Sequence, residues 1–513
     1  MPKTPSNKLF NLIKSMSGSE KRYFKVFVGS HANKDSKYLR LFDAIEAQEE
    51  FDDEVLKNEV YQGKPVQSRK YSELKGYLYD LCLKSLQGYD EKTSVDYKLR
   101  HYLQSMQVLF RRSHFSDCQD LLSKARKLAY KYERFTVLID MLGWEKQLAY
   151  AKSDIDYLDE ALDRIETEEQ HLQQQLTSIS AYRNLFFRLL VSLRKDASLT
   201  GPEFRKRLAD IVDTPLLQQP PESDAHQAQI YYYRTLSIYQ LATGDLLAFK
   251  SSSEQLIELM ESKPHFLNED VSEYISALSN LIMGCGRVGD YEALEVYLEK
   301  LRQVKPLSQD DELKIHRQYY QNKFSLCIAK GDFKEGLSAL QTHLRERSHF
   351  DNDLFETNTF YYYYFHISFG AEAYDDALSY LNDWLNLSTT VERQELQGTA
   401  RILNLIVHFE LGNYVLLDSL IRSTYRYLKK REQLHDVERE IISFIRKAAG
   451  SPSKHELKVA YESLKGAFEQ LPQTERAKSF FVRAFDMMAW LEGKLEGKSY
   501  GEMIRRKFKE RSR

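Results

Sequence analysis

The sequence predicts an all-α fold: a solenoid of helical hairpins behind an N-terminal helical cap. Three observations predict it. A Gly-Asp-aromatic turn recurs between apolar stretches, at Gly289-Asp290-Tyr291 and again at Gly331-Asp332-Phe333. The chain has 513 residues but only 11 Pro and 21 Gly, which leaves long uninterrupted windows suited to helices. It also holds 34 Tyr and 27 Phe, and stacked hairpins use such rings as wedges between layers.

The turns have a physical logic. Glycine supplies the left-handed backbone that stops a helix. Asp290 and Asp332 come next, and Asp can cap the following helix by accepting from its free N–H groups. An aromatic then sits at the elbow. Candidate elbows are Phe115, Tyr157, Leu246, Tyr291, Phe333, Tyr374 and Tyr414. Successive elbows lie 42, 45, 42, 41 and 40 residues apart, and the gap of 89 between Tyr157 and Leu246 spans two periods. A period of roughly 40–47 residues marks a stacked helical array. One hairpin cannot bury its apolar face alone, so neighbours stack into a continuous core.

Gly331-Asp332-Phe333-Lys334-Glu335-Gly336-Leu337 resembles the mid-repeat signature of tetratricopeptide repeats, and so does Tyr374-Asp375-Asp376-Ala377-Leu378. Gly412-Asn413-Tyr414 and Gly244-Asp245-Leu246 are partial copies, with Leu417 and Phe249 where a small residue is typical. Gly289-Asp290-Tyr291 has Ala293 one place early. The period exceeds the usual 34 residues, so longer helices or loops are expected. The resemblance covers roughly 96–447 and implies a right-handed solenoid. Ser19-Glu20-Lys21-Arg22-Tyr23-Phe24-Lys25, with Leu41-Phe42-Asp43-Ala44-Ile45 downstream, resembles the start of a family of uncharacterised bacterial helical-repeat proteins. That second resemblance brings no activity with it.

In chain order, residues 1–92 lack the period and read as the N-terminal cap. Leu9, Phe10, Leu12, Ile13 and Met16 mark a short amphipathic helix. Ser17-Gly18-Ser19 breaks it, and Ser19 is placed to cap a second helix carrying Tyr23, Phe24, Val26 and Phe27. Helices over 38–47 and 52–60 follow, then a turn at Gly63-Lys64-Pro65 and a longer helix over 68–86. The spacing also fits a helix-turn-helix DNA module, but the long helix is apolar where a reading helix exposes polar side chains. The array occupies 93–450. Its helices are expected over 97–112, 116–132, 136–152, 157–175, 181–194 and 202–212. Pro215, Pro220 and Pro221 mark a loop over 213–223, after which helices run to about Lys430. Ser308 and Asp311 form a capping-box pattern, so the acidic run Asp310-Asp311-Glu312 reads as helix-start electrostatics. The run Phe360-Tyr361-Tyr362-Tyr363-Tyr364-Phe365-His366 is apolar all round and reads as a helix buried between layers. Residues 451–513 read as capping helices and a basic tail. Ser453 and Glu456 make another capping box, and a helix is expected over 474–494.

Charge and motifs narrow the function. A net charge of −2 gives no global field for nucleic acid or an anionic membrane. Cys82, Cys118, Cys285 and Cys327 are scattered in apolar contexts and read as buried small residues, which suits a reducing compartment. Without a leader-like or membrane-length apolar run, the expected location is cytoplasmic. There is no Gly-rich phosphate loop, no His-Glu-x-x-His, no Gly-x-Ser-x-Gly and no Cys-x-x-Cys. The 13 histidines are dispersed, and His343 and His349 are expected to be exposed. No catalytic residue, cofactor or metal is expected, and the chain reads as non-enzymatic.

Binding is then the expected role. In tetratricopeptide-like proteins the first helix of each hairpin lines a groove. Carried over by position, the resemblance places Tyr231, Arg234, Asn280, Gln318, Gln321, Asn322, Tyr362 and His366 there. Asn280 and Asn322 lie 42 residues apart, one period, and an Asn can pair with a peptide amide through both a donor and an acceptor. The implied partner is a protein or peptide segment. The alternative is nucleic acid, held by Arg422, Arg426, Lys429 and Lys430 on one helical face, or by Arg505, Arg506 and Lys507 near the end.

Overall fold

The computed structural model describes residues 7–29, 36–90, 94–195, 208, 214–387, 394–450, 453–472 and 479–511. Among these are 26 α-helices, two short 3-10 turns and no strand, so the fold is an all-α, solenoid-like array in which helices pack on their sequence neighbours. None of these helices is long and apolar enough to cross a membrane. The chain divides into two compact units: Met1–Thr235 with Lys263–Glu269, and Leu236–Ser262 with Asp270–Arg513.

One turn design recurs through the array. A residue in left-handed backbone ends a helix, the next N–H bonds to the carbonyl five places back, and a new helix starts at once. Among the described residues this happens at Ser113, Glu133, Ser153, Gly244, Gly289, Gly331, Glu372 and Gly412. The bond closes the last turn and satisfies a carbonyl that the helix leaves unpaired. Phe115, Leu246, Tyr291, Phe333, Tyr374 and Tyr414 each open the second helix, as the elbow reading expects. Tyr157 does not. That helix opens at Ile155, because Ser153 makes the turn. Asp290 caps as expected, accepting from the Ala293 N–H at 3.1 Å, whereas Asp332 makes no capping bond.

In the first unit, the helices up to Asp90 enclose a core of their own. Phe24 and Phe42 stack there at 4.3 Å beside Leu41, Ile45, Leu78 and Cys82. Ser17, not Ser19, caps the Gly18–Gly29 helix through a reciprocal pair with Glu20. Val95–Phe110, Phe115–Lys131, Phe135–Ala151 and Ile155–Lys195 then pack in succession. The last replaces the expected helices 157–175 and 181–194 with a single one of 41 residues. It holds no Gly or Pro, and Thr177 returns its hydroxyl to the Gln173 carbonyl at 2.9 Å instead of breaking the helix. The expected helix 202–212 lies, except for Leu208, outside the described residues. The Pro-marked loop contains one short helix, Pro215–Gln218.

In the second unit, the hairpins are Ser272–Val288 with Tyr291–Gln303, Gln309–Lys330 with Phe333–Glu346, Asn358–Gly370 with Tyr374–Asn386, and Gln394–Glu410 with Tyr414–Lys430. Asp436–Ala448 with Lys454–Gln470 adds another pair. First helices also pack on first helices: Ser272–Val288 touches Gln309–Lys330, which touches Asn358–Gly370. Gly336 shows why a small residue follows the elbow. A Cβ there would lie 2.7 Å from Ile367 of the next hairpin. The aromatic run is core as expected, with Phe360, Tyr364 and Phe365 fully buried. The expected helix 474–494 is corrected. Residues 474–478 lie outside the described set, and the remainder breaks at Phe485, where Asp486 caps a new helix, Met487–Glu496, by accepting from Ala489. The expected basic tail is also a helix, Tyr500–Arg511, packed on Gln309–Lys330.

Candidate functional site

The groove positions are divided between the two units. In the first, Tyr231 and Arg234 lie on His226–Thr243. The Arg234 guanidinium sits 4.3 Å from the centre of the Phe186 ring, and Tyr231 tilts against the same ring at 5.8 Å. Both are thereby stacked on the Ile155–Lys195 helix.

In the second unit, Asn280, Gln318, Gln321 and Asn322 are half-buried on two first helices that pack together. The Ser279 hydroxyl donates to the Gln318 side-chain oxygen at 2.6 Å and ties the two helices to each other. Asn322 gives one N–H to the Gln318 backbone oxygen at 2.7 Å. Its side-chain carbonyl, and the whole amides of Asn280 and Gln321, have no protein partner among the described residues. This face therefore offers amide donors and acceptors that the fold leaves unused.

Tyr362 and His366 are corrected. They face the chain's own C-terminal segment, not solvent. The Tyr362 hydroxyl donates to the Ala484 carbonyl at 3.0 Å, and the His366 ring lies 6.0 Å from Phe485. His366 is 2% exposed, its Nε2 has no partner, and burial pushes its pKa down to about 3, so the ring is neutral. The same segment is fastened at three further points. Trp490 Nε1 and Lys494 each donate to Glu410 at 2.5 Å, and Arg505 Nη1 donates to the Gly331 carbonyl at 2.9 Å. Two glycines permit the close approach. A Cβ on Gly331 would lie 2.9 Å from the Arg505 nitrogen, and one on Gly501 would lie 3.1 Å from the Phe333 ring and 3.2 Å from the Gly370 carbonyl. A cavity of about 1140 Å³ remains beside Tyr362 and His366, with Arg287 and Lys507 standing near Asp290 and Asp486 on its wall. That mixture selects no sign of charge.

The basic clusters differ from each other. Arg506 pairs with Glu496 at 2.7 Å, Lys507 with Asp486 at 2.8 Å, and Arg505 is held by Gly331. These three are structural ties rather than a free phosphate-binding tail. Arg422, Arg426, Lys429 and Lys430 are exposed along Tyr414–Lys430, where Arg422 meets Asp418 at 3.1 Å.

A further polar cluster carries no local motif. His343, expected to be exposed, is fully buried and stacks parallel to Phe360 at 5.3 Å. Its Nδ1 shares a hydrogen bond with His316 Nε2 at 3.0 Å, and its Nε2 shares one with the Tyr364 hydroxyl at 2.6 Å. His316 Nδ1 lies 3.7 Å from the Glu346 carboxylate, which also accepts from Tyr320 at 2.6 Å. Burial pushes His316 down to about 4, against the pull of Glu346, and His343 to about 3, so both rings are neutral near pH 7. The cluster opens on a pocket of about 320 Å³ walled by Val304, Ile315, Tyr319 and Phe350. The partners lie 21–27 residues apart in sequence, which is why no spacing rule finds them. Among the described residues, no group of His, Cys, Asp and Glu could hold a metal ion.

No protein-family model, curated protein or solved structure matches this chain.

Proposed function

We propose that this protein is a non-catalytic, cytoplasmic interaction scaffold that holds an extended protein or peptide segment against the Asn280, Gln318, Gln321 and Asn322 face. The observation that supports this reading is the set of half-buried amides with unused donors and acceptors on two neighbouring first helices. Such a face suits main-chain amides, whose donor and acceptor match an Asn or Gln head group. Tyr362 and His366 drop out of the binding surface, because the C-terminal segment covers them. Nucleic acid is the weaker reading. Its C-terminal cluster is engaged within the chain, which leaves the exposed Arg422, Arg426, Lys429 and Lys430 and the N-terminal helices.

The test is a pull-down from native lysate at low and moderate salt, with and without nuclease, read by mass spectrometry. A defined protein that survives both treatments, and disappears with Asn280→Ala plus Asn322→Ala, supports the scaffold. Recovery that collapses with nuclease or salt, while the Asn changes do nothing, overturns it, since phosphate binding weakens steeply with ionic strength.

A further inference from the structure

We infer that the pocket of about 320 Å³ between Arg302, Tyr319 and Glu346 binds a free α-amino acid with an apolar side chain. The inference stands apart from the scaffold reading and uses a different surface.

Arg302 and two carboxylates, Glu312 and Glu346, line this pocket, and Arg302 pairs with neither among the described residues. Arg302 stands over the Tyr319 ring at 5.5 Å and has no acid partner among the described residues. Glu346 has no Lys or Arg partner; its oxygen is fixed by the Tyr320 hydroxyl at 2.6 Å. Between the charges, the Tyr319 and Tyr320 rings meet edge to face at 5.1 Å, and Ile315 and Phe350 complete an apolar wall. A surface Arg and Glu that could reach each other would normally pair. Held apart across an aromatic floor, they match the two ends of a zwitterion.

Each end has its role. The Arg302 guanidinium presents a fork suited to the ligand carboxylate. Glu346 accepts from the ligand ammonium. His316 is 9% exposed at its side chain and is tied to His343 behind it, so the wall that positions Glu346 is rigid. The volume lies at the small end of ligand pockets, which suits a single amino acid better than a peptide. Val304, Pro306, Ile315 and Phe350 give a leucine- or phenylalanine-like side chain an apolar wall, with Glu312 and His349 on the same lining.

The test is isothermal titration of the full chain with L-leucine, L-phenylalanine, L-phenylalaninamide and N-acetyl-L-phenylalanine. Both free amino acids are expected to bind. The amide and the N-acetyl derivative are each expected to bind about ten-fold more weakly or worse, the loss that one charged contact carries. Arg302→Ala should remove the preference for phenylalanine over its amide. Glu346→Gln, which keeps an acceptor for Tyr320, should remove the preference over the N-acetyl form. Circular dichroism and melting of both variants report whether they fold. Absence of binding by the wild-type chain overturns the inference, and so does equal binding of the parent and both blocked forms. Asn280→Ala with Asn322→Ala should leave the titration unchanged, so failure of the scaffold reading and failure of this one are separable.

Discussion

In the first unit, Arg126 reaches Glu145 at 2.8 Å and Glu168 at 2.5 Å, and Arg164 and Tyr157 close on the same Glu145. The second unit fills the space between its helices with Trp384, Phe324, Phe360 and Phe365, all fully buried. The Val95–Lys195 helices of the first unit add a charged network to a core with small residues such as Cys118, Ala125 and Ala129; the second unit leans more heavily on rings. The turns differ in parallel. The first unit makes the left-handed turn residue from Ser113, Glu133 and Ser153, the second mostly from Gly244, Gly289, Gly331 and Gly412. The contrast shows that one backbone plan tolerates two kinds of glue. Rings depend on shape and exclude water, whereas the network depends on opposite charges meeting.

The largest break in this comparison comes from the rings. Trp384→Ala should cost about 3–5 kcal/mol, the usual range for emptying a buried aromatic site. Hydrogen exchange should show faster uptake across the second unit, with first-unit peptides unchanged. Uniform uptake across both units would erase the distinction.

Acid should separate the units next. Burial lowers His408 in the second unit, and takes four histidines a long way down: His316 to about 4, His343 to about 3 and His366 to about 3 in the second, and His226 to about 4 in the first. All four lie below the ordinary value of 6.5, so the unfolded chain binds more protons than the folded one below that pH. Their stabilisation is present above 6.5 and is lost as pH falls toward 3–4. At pH 5 each group should have forfeited about 1–2 kcal/mol. Burial alone would raise the Glu145 carboxyl, but Tyr157, Arg164 and Arg126 together hold it below its ordinary 4.5, so its contribution survives at pH 5. Exchange measured at pH 7 and pH 5 should therefore show the second unit loosening more.

The smallest effect sharpens the comparison of turns. Ser113→Gly relieves left-handed strain and should stabilise by up to about 1 kcal/mol; Gly289→Ala should destabilise by about the same amount. Opposite shifts in the midpoint of thermal unfolding check both.

The hairpins of both units are legible in the sequence, by different signs. Gly289, Gly331 and Gly412 announce their turns, so the second unit's hairpins were readable. Ser113, Glu133 and Ser153 carry no such sign, yet the helices expected over 97–112, 116–132 and 136–152 still fall beside those turns, at Val95–Phe110, Phe115–Lys131 and Phe135–Ala151. The repeat period suggests a break inside Ile155–Lys195 that the helix does not make, since the stretch holds no Gly or Pro. Asn280, Gln318 and Asn322 follow from the turn spacing, and they lie half-buried on two helices that pack together. The covering of Tyr362 by Ala484 was not readable, because it joins residues 122 apart. The pocket at Glu346 draws on segments around 302, 316 and 350, and nothing local links them.

The fastening of Arg505 to Gly331 has a consequence during synthesis. The two residues are 174 positions apart, and at 5–20 residues per second a ribosome needs roughly 10–35 s to travel between them. Throughout that interval the nascent array carries Tyr362, Phe369 and the Gly331 carbonyl without their cover, open to chaperones and to other nascent chains. A message cut short before Phe485, Trp490 and Tyr500 would release a product with the same faces bare. The last helices thus complete the burial of faces that the array leaves bare without them.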